Sequence, residues 1–219
     1  MIPFKNFLVE EEKKESGHKT LHAFDMDEVL FHHDHSKLKI HVKDKQGKVV
    51  HSLTNQEFND HKLQHGHHYD FSDFRSSKTF KQTAKPIHHM IRKLKSAHKK
   101  GNSKVEIVTA RSDMDDKHAF LDSLKKHGIP VGTGEGHVHV RRTGNDKQAT
   151  STGDSKRREI SKRIKQHGYT KVHLYDDSEH NLNHFASLKQ EHPHVQLHAH
   201  HVKHDPQTGK VEIKTKIYK

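Results

Sequence analysis

The sequence predicts an α/β fold: a Rossmann-like parallel sheet with helices on both faces. Two observations carry that expectation. Short apolar blocks alternate with segments of helical period, the pattern of successive β-α units. Three of those blocks, at 21–24, 105–108 and 172–175, run directly into polar residues: Asp25 and Asp27, Thr109 with Arg111, and Asp176 with Asp177. Ligands bind beyond the carboxyl ends of the strands in such sheets, so these three ends are expected to meet in one crevice although they lie far apart in sequence.

The elements follow in order. Residues 1–17 read as a leader or linker, with Ile2, Phe4, Phe7 and Leu8 followed by a charged run from Glu10 to Glu15. A first strand at about 19–24 feeds the aspartate pair. From 32 to 85 the text changes. Leu38, Ile40 and Val42 alternate with polar residues up to Gly47, and Val49, Val50 and Leu53 follow, a hairpin signal about a glycine turn. A short helix is expected at 55–62 and an irregular stretch at 66–85 with Tyr69, Phe71, Phe74 and Phe80.

Pro86 is placed at the start of a helix whose apolar face is Ile87, Met90, Ile91, Leu94 and Ala97, ended by Gly101. After the strand at 105–108, a helix at 115–127 buries Phe120, Leu121 and Leu124 and is capped by Gly128. A thin strand at 137–140 and a polar loop at 144–154 precede a basic helix at 155–167 that has Ile160 and Ile164 to bury. A strand at 172–175, a helix carrying Leu182, Phe185 and Leu188, and two closing strands at about 195–202 and 210–217, a C-terminal hairpin, complete the chain. The expected division is 1–17, a core of 18–31 with 86–219, and an insertion of 32–85.

Composition bounds the function. A chain of 219 residues accommodates one domain with an insertion. Cysteine is absent, which excludes disulfide and thiol chemistry. No apolar run approaches the roughly 20 residues of a membrane span, and no signal-peptide core is present, so a soluble cytoplasmic protein is expected. Hydrophobic residues are only 29%, which implies a lean core under a polar skin. The net charge of +12 favours polyanionic partners such as nucleotides or nucleic acid, or equally reflects plain solvation, since Lys is spread along the whole chain. The 28 histidines make the surface still more positive below about pH 6.5.

The aspartates point to chemistry. Carboxylates are costly to bury unpaired, and several together repel unless a cation neutralises them. Mg²⁺ takes oxygen ligands and is commonly held by one or two carboxylates plus substrate phosphate. Beside it one Asp can attack phosphorus and a second can exchange protons, while a Thr hydroxyl, main-chain N–H groups and a Lys hold the phosphoryl oxygens.

With those residues in place, the sequence resembles the haloacid dehalogenase-like (HAD) phosphatase superfamily, and is similar in wording to small HAD-type hydrolases of tailed phages. Phe24-Asp25-Met26-Asp27-Glu28-Val29-Leu30 resembles the first motif, Val108-Thr109-Ala110-Arg111 the second, and Leu174-Tyr175-Asp176-Asp177 with Asn181 the fourth. The resemblance implies that Asp25 is nucleophile and Mg²⁺ ligand, and that Asp27 is general acid/base and lends its carbonyl to the metal. It also implies that Thr109, with Ala110 and Arg111, holds the phosphoryl group, and that Asp176 and Asp177 are metal ligands. For the third motif Lys156 is the choice, with Lys147 and Lys162 as competitors. Glu28 and Val29 stand where Gly or Asp and Thr are common. The insertion at 32–85 falls where the superfamily places a small cap, and Tyr69, Phe71, Phe74 and Arg75 are candidates to stack on a base or to pin the cap.

Other readings stay open. The substrate is a nucleotide, a phosphorylated nucleic-acid end or a small metabolite; alternatively the chain is a packaged, DNA-binding phage protein with a vestigial site. The decapeptide 1–10 resembles the leaders of packaged phage-head proteins, cut after a triplet such as Leu8-Val9-Glu10. Histidine groups (His33 with His35; His65, His67 and His68; His192, His194, His198, His200 and His201) could take Zn²⁺ or Ni²⁺. His194, His198 and His200 would share one face of a strand, but no closed ligand spacing is evident, so adventitious surface binding is expected.

Overall fold

The computed structural model describes residues 19–34 and 36–219; the leader at 1–17, and His35, lie outside the described residues. Among these, one sheet of six strands forms the body, in the order β11-β10-β9-β1-β7-β8. Its strands are β1 (Thr20–Phe24), β7 (Ser103–Thr109), β8 (His139–Arg142), β9 (Lys171–Asp176), β10 (Gln196–His204) and β11 (Val211–Tyr218). All neighbours pair in parallel except β10 with β11, which close the chain as an antiparallel hairpin.

Side chains alternate across the sheet, and each face has its own helices. On one face Phe24, Val105, Ile107 and Tyr175 pack with Met90, Ile91 and Leu94 of α4 (His88–His98) and Phe120 and Leu124 of α5 (Lys117–Lys126). On the other, Leu21, Ala23, Val108, Val172 and Leu174 meet Ile160 and Ile164 of α6 (Thr152–His167) and Leu182, Phe185 and Leu188 of α7 (Glu179–Glu191). No helix among the described residues is long and apolar enough to cross a membrane.

The stretch from 32 to 85 is more regular than its sequence suggests. β2 (Phe31–His33) and β6 (Ala84–Pro86) form an antiparallel ribbon where the insertion leaves and rejoins the body. Between them β3 (Ile40–Lys43), β4 (Val49–Leu53) and β5 (His68–Asp70) make a small sheet in the order β4-β3-β5, with α1 (Asn55–Asp60), α2 (Ser72–Arg75) and α3 (Ser77–Thr83). The expected hairpin turns at Gly47, which has a φ of +80°, a conformation natural to glycine. Pro86 does not open α4. It ends the edge strand β6, where its missing N–H costs nothing, and the helix begins at His88. The loop expected at 144–154 is in part structured: a 3₁₀ turn spans Thr143–Asn145, and α6 begins three residues earlier than its apolar pattern shows, capped by Ser151.

One row across the sheet is chemically unusual. His22, His173 and His198 stand in register on β1, β9 and β10, beside a second row of Phe24, Tyr175 and His200. The rings stack, with centroids 4.3 Å apart for His22–His173 and 4.2 Å for Tyr175–His200. Burial, reinforced by neighbouring lysines and histidines, lowers His22 to about 4 and His200 to about 3, and places His173 lower still. The unfolded chain takes up protons at 6.5 and these rings do not, so each contributes stability above pH 6.5 that is lost as pH falls. In metal-free buffer, lowering the pH from 7.5 to 5.5 is expected to destabilise the wild type by about 1 kcal/mol more than His173→Phe, read from urea midpoints. Equal pH dependence of the two proteins would contradict the burial of an uncharged ring.

Candidate functional site

The carboxyl ends of β1, β7 and β9 open into a crevice of about 880 Å³, roofed by the insertion. Asp25, Asp27, Ala110, Arg111, Lys156, Asp177 and Asn181 line it from the body; Phe58, Phe71 and Phe74 line it from the insertion. Asp176 and Thr109 lie beneath its floor, both fully buried.

The centre is a lysine between two aspartates. Asp25 follows β1, Asp176 ends β9, and Lys156 reaches over from the first turns of α6. Its Nζ donates to Asp176 Oδ2 at 2.7 Å and lies 2.9 Å from Asp25 Oδ1. All three are buried. Oxygens of Asp25, Asp176 and Asp177 come within 4.8 Å of one another, a donor set of hard oxygens suited to a divalent cation. Lys147 and Lys162, the competing lysines, are exposed outside this cluster.

Each member is held from behind. Asn181 Nδ2 and the Ser178 N–H both donate to Asp176 Oδ1 at 3.0 Å, so the start of α7 fixes this carboxylate. Thr152 Oγ1 donates to Asn181 Oδ1 at 3.2 Å, tying α6 to α7. The two helices approach closely at Gly153, where a Cβ would stand 2.6 Å from the His184 ring. That approach sets Lys156, one turn further on, against the aspartates.

Asp27 has a different environment. Arg111 grips it with two nitrogens, Nη2 donating to Oδ1 at 2.8 Å and Nε to Oδ2 at 3.0 Å. His33 Nε2 is 2.8 Å from the same Oδ1. Burial alone would raise this carboxyl, but Arg111 and His33 outweigh it and hold Asp27 well below the usual carboxylate range. Arg111 also donates to the Phe74 carbonyl at 2.7 Å and lies over the Phe74 and Phe80 rings. Its guanidinium, expected to bind substrate, is therefore committed to Asp27 and to the insertion. Asp25 is pushed up to about 7 by burial, with Asp176 and Asp27 adding and Lys156 opposing. Asp177 is exposed at the rim of the crevice, and crowding by the protein around its carboxyl, then the like charges of Asp176 and Asp25, raise it above its ordinary value.

Thr109 accepts the Arg111 N–H on its Oγ1 at 3.2 Å, which leaves the hydroxyl proton to donate. Its carbonyl accepts from Thr143 Oγ1 at 3.1 Å, and Thr143 is 3.0 Å from the Ser155 hydroxyl. Gly144 packs so tightly here that a Cβ would lie 2.3 Å from the Ala110 carbonyl oxygen. Glu28 has a left-handed φ of 58°, and its carboxylate accepts the His33 N–H at 3.2 Å.

Among the aromatics, Tyr69 packs edge-on against Phe58 and donates its hydroxyl to the His61 carbonyl at 3.1 Å. Arg75 Nε donates to the Asp113 carbonyl at 3.3 Å, and Phe74 supports Arg111. Phe58 and Phe71 pack edge-on against each other, centroids 5.5 Å apart, and both line the crevice. Sequence reasoning missed Thr143, Ser155 and Phe58 at this site, and offered His33 as a metal ligand where it is instead a partner of Asp27. His33 carried a faint signal, since it lies two residues after Phe31 on the same face of a strand.

The central triad has a measurable signature. Lys156→Met leaves two buried carboxylates uncompensated and is expected to cost about 3–5 kcal/mol in metal-free buffer. Millimolar Mg²⁺ should recover part of that loss in the variant; urea midpoints that ignore Mg²⁺ would show that the aspartates hold no cation. No protein-family model, curated protein or solved structure matches this chain.

Proposed function

We propose that the protein is a Mg²⁺-dependent phosphohydrolase of the HAD type, working through an aspartyl-phosphate on Asp25. The observation that carries this reading is the meeting of Asp25 and Asp176 at Lys156, with Asp177 within reach of the same point. The oxygens of Asp25, Asp176 and Asp177, with the Asp27 carbonyl, would hold the ion. When bound, Mg²⁺ neutralises charge on the phosphoryl oxygens.

The residues of the chain divide the remaining work. Asp25 presents a carboxylate oxygen to phosphorus and forms the acyl phosphate as the bond to the leaving oxygen breaks. That oxygen takes its proton from water in the crevice. Attack of a second water on phosphorus then frees phosphate and restores the Asp25 carboxylate. Lys156 and the Thr109 hydroxyl donate to phosphoryl oxygens, which spreads the developing charge. Asp27 is held as an anion by Arg111 and His33, a state suited to taking a proton from the water that hydrolyses the acyl phosphate. Arg111 acts as a positioning residue for Asp27. The left-handed backbone of Glu28 supplies a physical reason why Gly is common at that place in the superfamily the chain resembles.

The insertion at 32–85 acts as the cap, closing over the crevice to exclude water. A nucleotide or phosphorylated nucleic-acid end suits the space: 880 Å³ accommodates a nucleotide, Phe58 and Phe71 offer faces for a base, and the net charge of +12 attracts polyanions.

A generic phosphate ester and a panel of nucleotides, assayed with and without Mg²⁺, test the reading. Asp25→Asn is expected to lower turnover by roughly 10³-fold or more while the far-ultraviolet spectrum is unchanged. Because the proton on Asp25 leaves near pH 7 and competes with the cation, the apparent Mg²⁺ affinity should weaken as pH falls below that value. Turnover equal in Asp25→Asn and wild type would refute the nucleophile. DNA binding with no Mg²⁺-dependent turnover on any ester would favour a vestigial site.

A further inference from the structure

We propose that His173, His198 and His200 form a Zn²⁺ site on the sheet, separate from the aspartate crevice. The three imidazoles come from adjacent strands: His173 from β9, and His198 and His200, two residues apart on one face, from β10. One ring nitrogen of each lies within 4.8 Å of the others, and His173 Nδ1 and His200 Nε2 are 2.9 Å apart. Zn–N bonds of 2.0–2.1 Å in a tetrahedron place nitrogens about 3.3 Å apart, so His173 and His200 must exchange their mutual hydrogen bond for a turn of the rings towards a shared ion.

Two further observations point to a ligand. His198 Nε2 is buried with no hydrogen-bond partner, and in the tautomer protonated at Nδ1 it offers an unsatisfied lone pair that an ion would engage. His200 has its other nitrogen, Nδ1, 2.8 Å from the Thr215 hydroxyl of β11, the kind of outer partner that fixes ring orientation in zinc sites. His194, a candidate in the sequence, precedes β10 and is exposed; the third ligand comes from β9 instead, which no spacing along the chain reveals.

The surroundings select the ion. Lys93, Lys100 and Lys171 lie close enough to bias these rings and the neighbouring His22 against protonation. The same charges oppose any bound cation. That disfavours Mg²⁺, held by charge on oxygen, more than Zn²⁺, held through nitrogen lone pairs. Binding displaces the proton shared between His173 Nδ1 and His200 Nε2, which passes to solvent. Three protein ligands leave a fourth position for water.

Metal-free protein titrated with Zn²⁺ against a chromophoric chelator, with Co²⁺ as a spectroscopic substitute, tests the site. One equivalent is expected to bind ahead of the remaining surface histidines and to give the intense visible absorption of four-coordinate Co²⁺. His198→Ala and His200→Ala should each weaken that equivalent by at least about 10-fold, and Thr215→Val by roughly 10-fold. His194→Ala and Asp25→Asn should leave its affinity unchanged. His198→Gln, which keeps a polar side chain, guards against loss of folding and should behave like His198→Ala. A six-coordinate Co²⁺ spectrum, no equivalent tighter than in His198→Ala, or equal weakening by His194→Ala would each overturn the proposal.

Discussion

Two aspartates that share one lysine inside the protein constrain nearly everything around them. Asp25 and Asp176 end adjacent parallel strands, and sheet geometry alone brings their like charges together. Without a cation between them the pair would be severely unfavourable. Lys156 supplies that cation from α6, and the helix must therefore sit where its first turns touch the strand ends. The Ser151 cap, the glycine contact at Gly153 and the Thr152–Asn181 bond all serve that placement. The same point combines buried opposite charges with a side open to the crevice.

The second aspartate of the motif carries the coupling between body and insertion. Arg111 holds Asp27 with one edge and the Phe74 carbonyl with the other, while His33 joins Asp27 to Thr83 at the end of α3, its Nδ1 being 3.1 Å from the Thr83 hydroxyl. Arg111 and His33, the two groups that set the charge of Asp27, are thus both tied to the insertion. In the proposed reaction this links closure over substrate to the group that activates water.

Much of this was legible in the sequence because it is local. Apolar runs ending in acidic residues placed Asp25 and Asp176, and the rule that ligands gather at carboxyl strand ends brought them together. Of the three lysines weighed for the phosphate, Lys156 is buried between the aspartates, whereas Lys147 and Lys162 are exposed. What was not legible depends on pairing between distant segments. The β2–β6 ribbon joins residues about fifty positions apart, so His33 reads as one more polar histidine when it is in fact fully buried. Arg111 looked like a free cation for phosphate because its partner lies far back in the chain. The histidine row likewise exists only once β1, β9 and β10 are in register.

The most direct test is a crystal structure of the protein grown with Mg²⁺ and an unreactive phosphate analogue. One ion is expected at about 2.0–2.1 Å from oxygens of both Asp25 and Asp176, with the analogue's phosphorus facing Asp25 and Lys156 turned towards the phosphoryl oxygens. An ion bound elsewhere, with Lys156 still bridging the two aspartates, would contradict the proposed magnesium site.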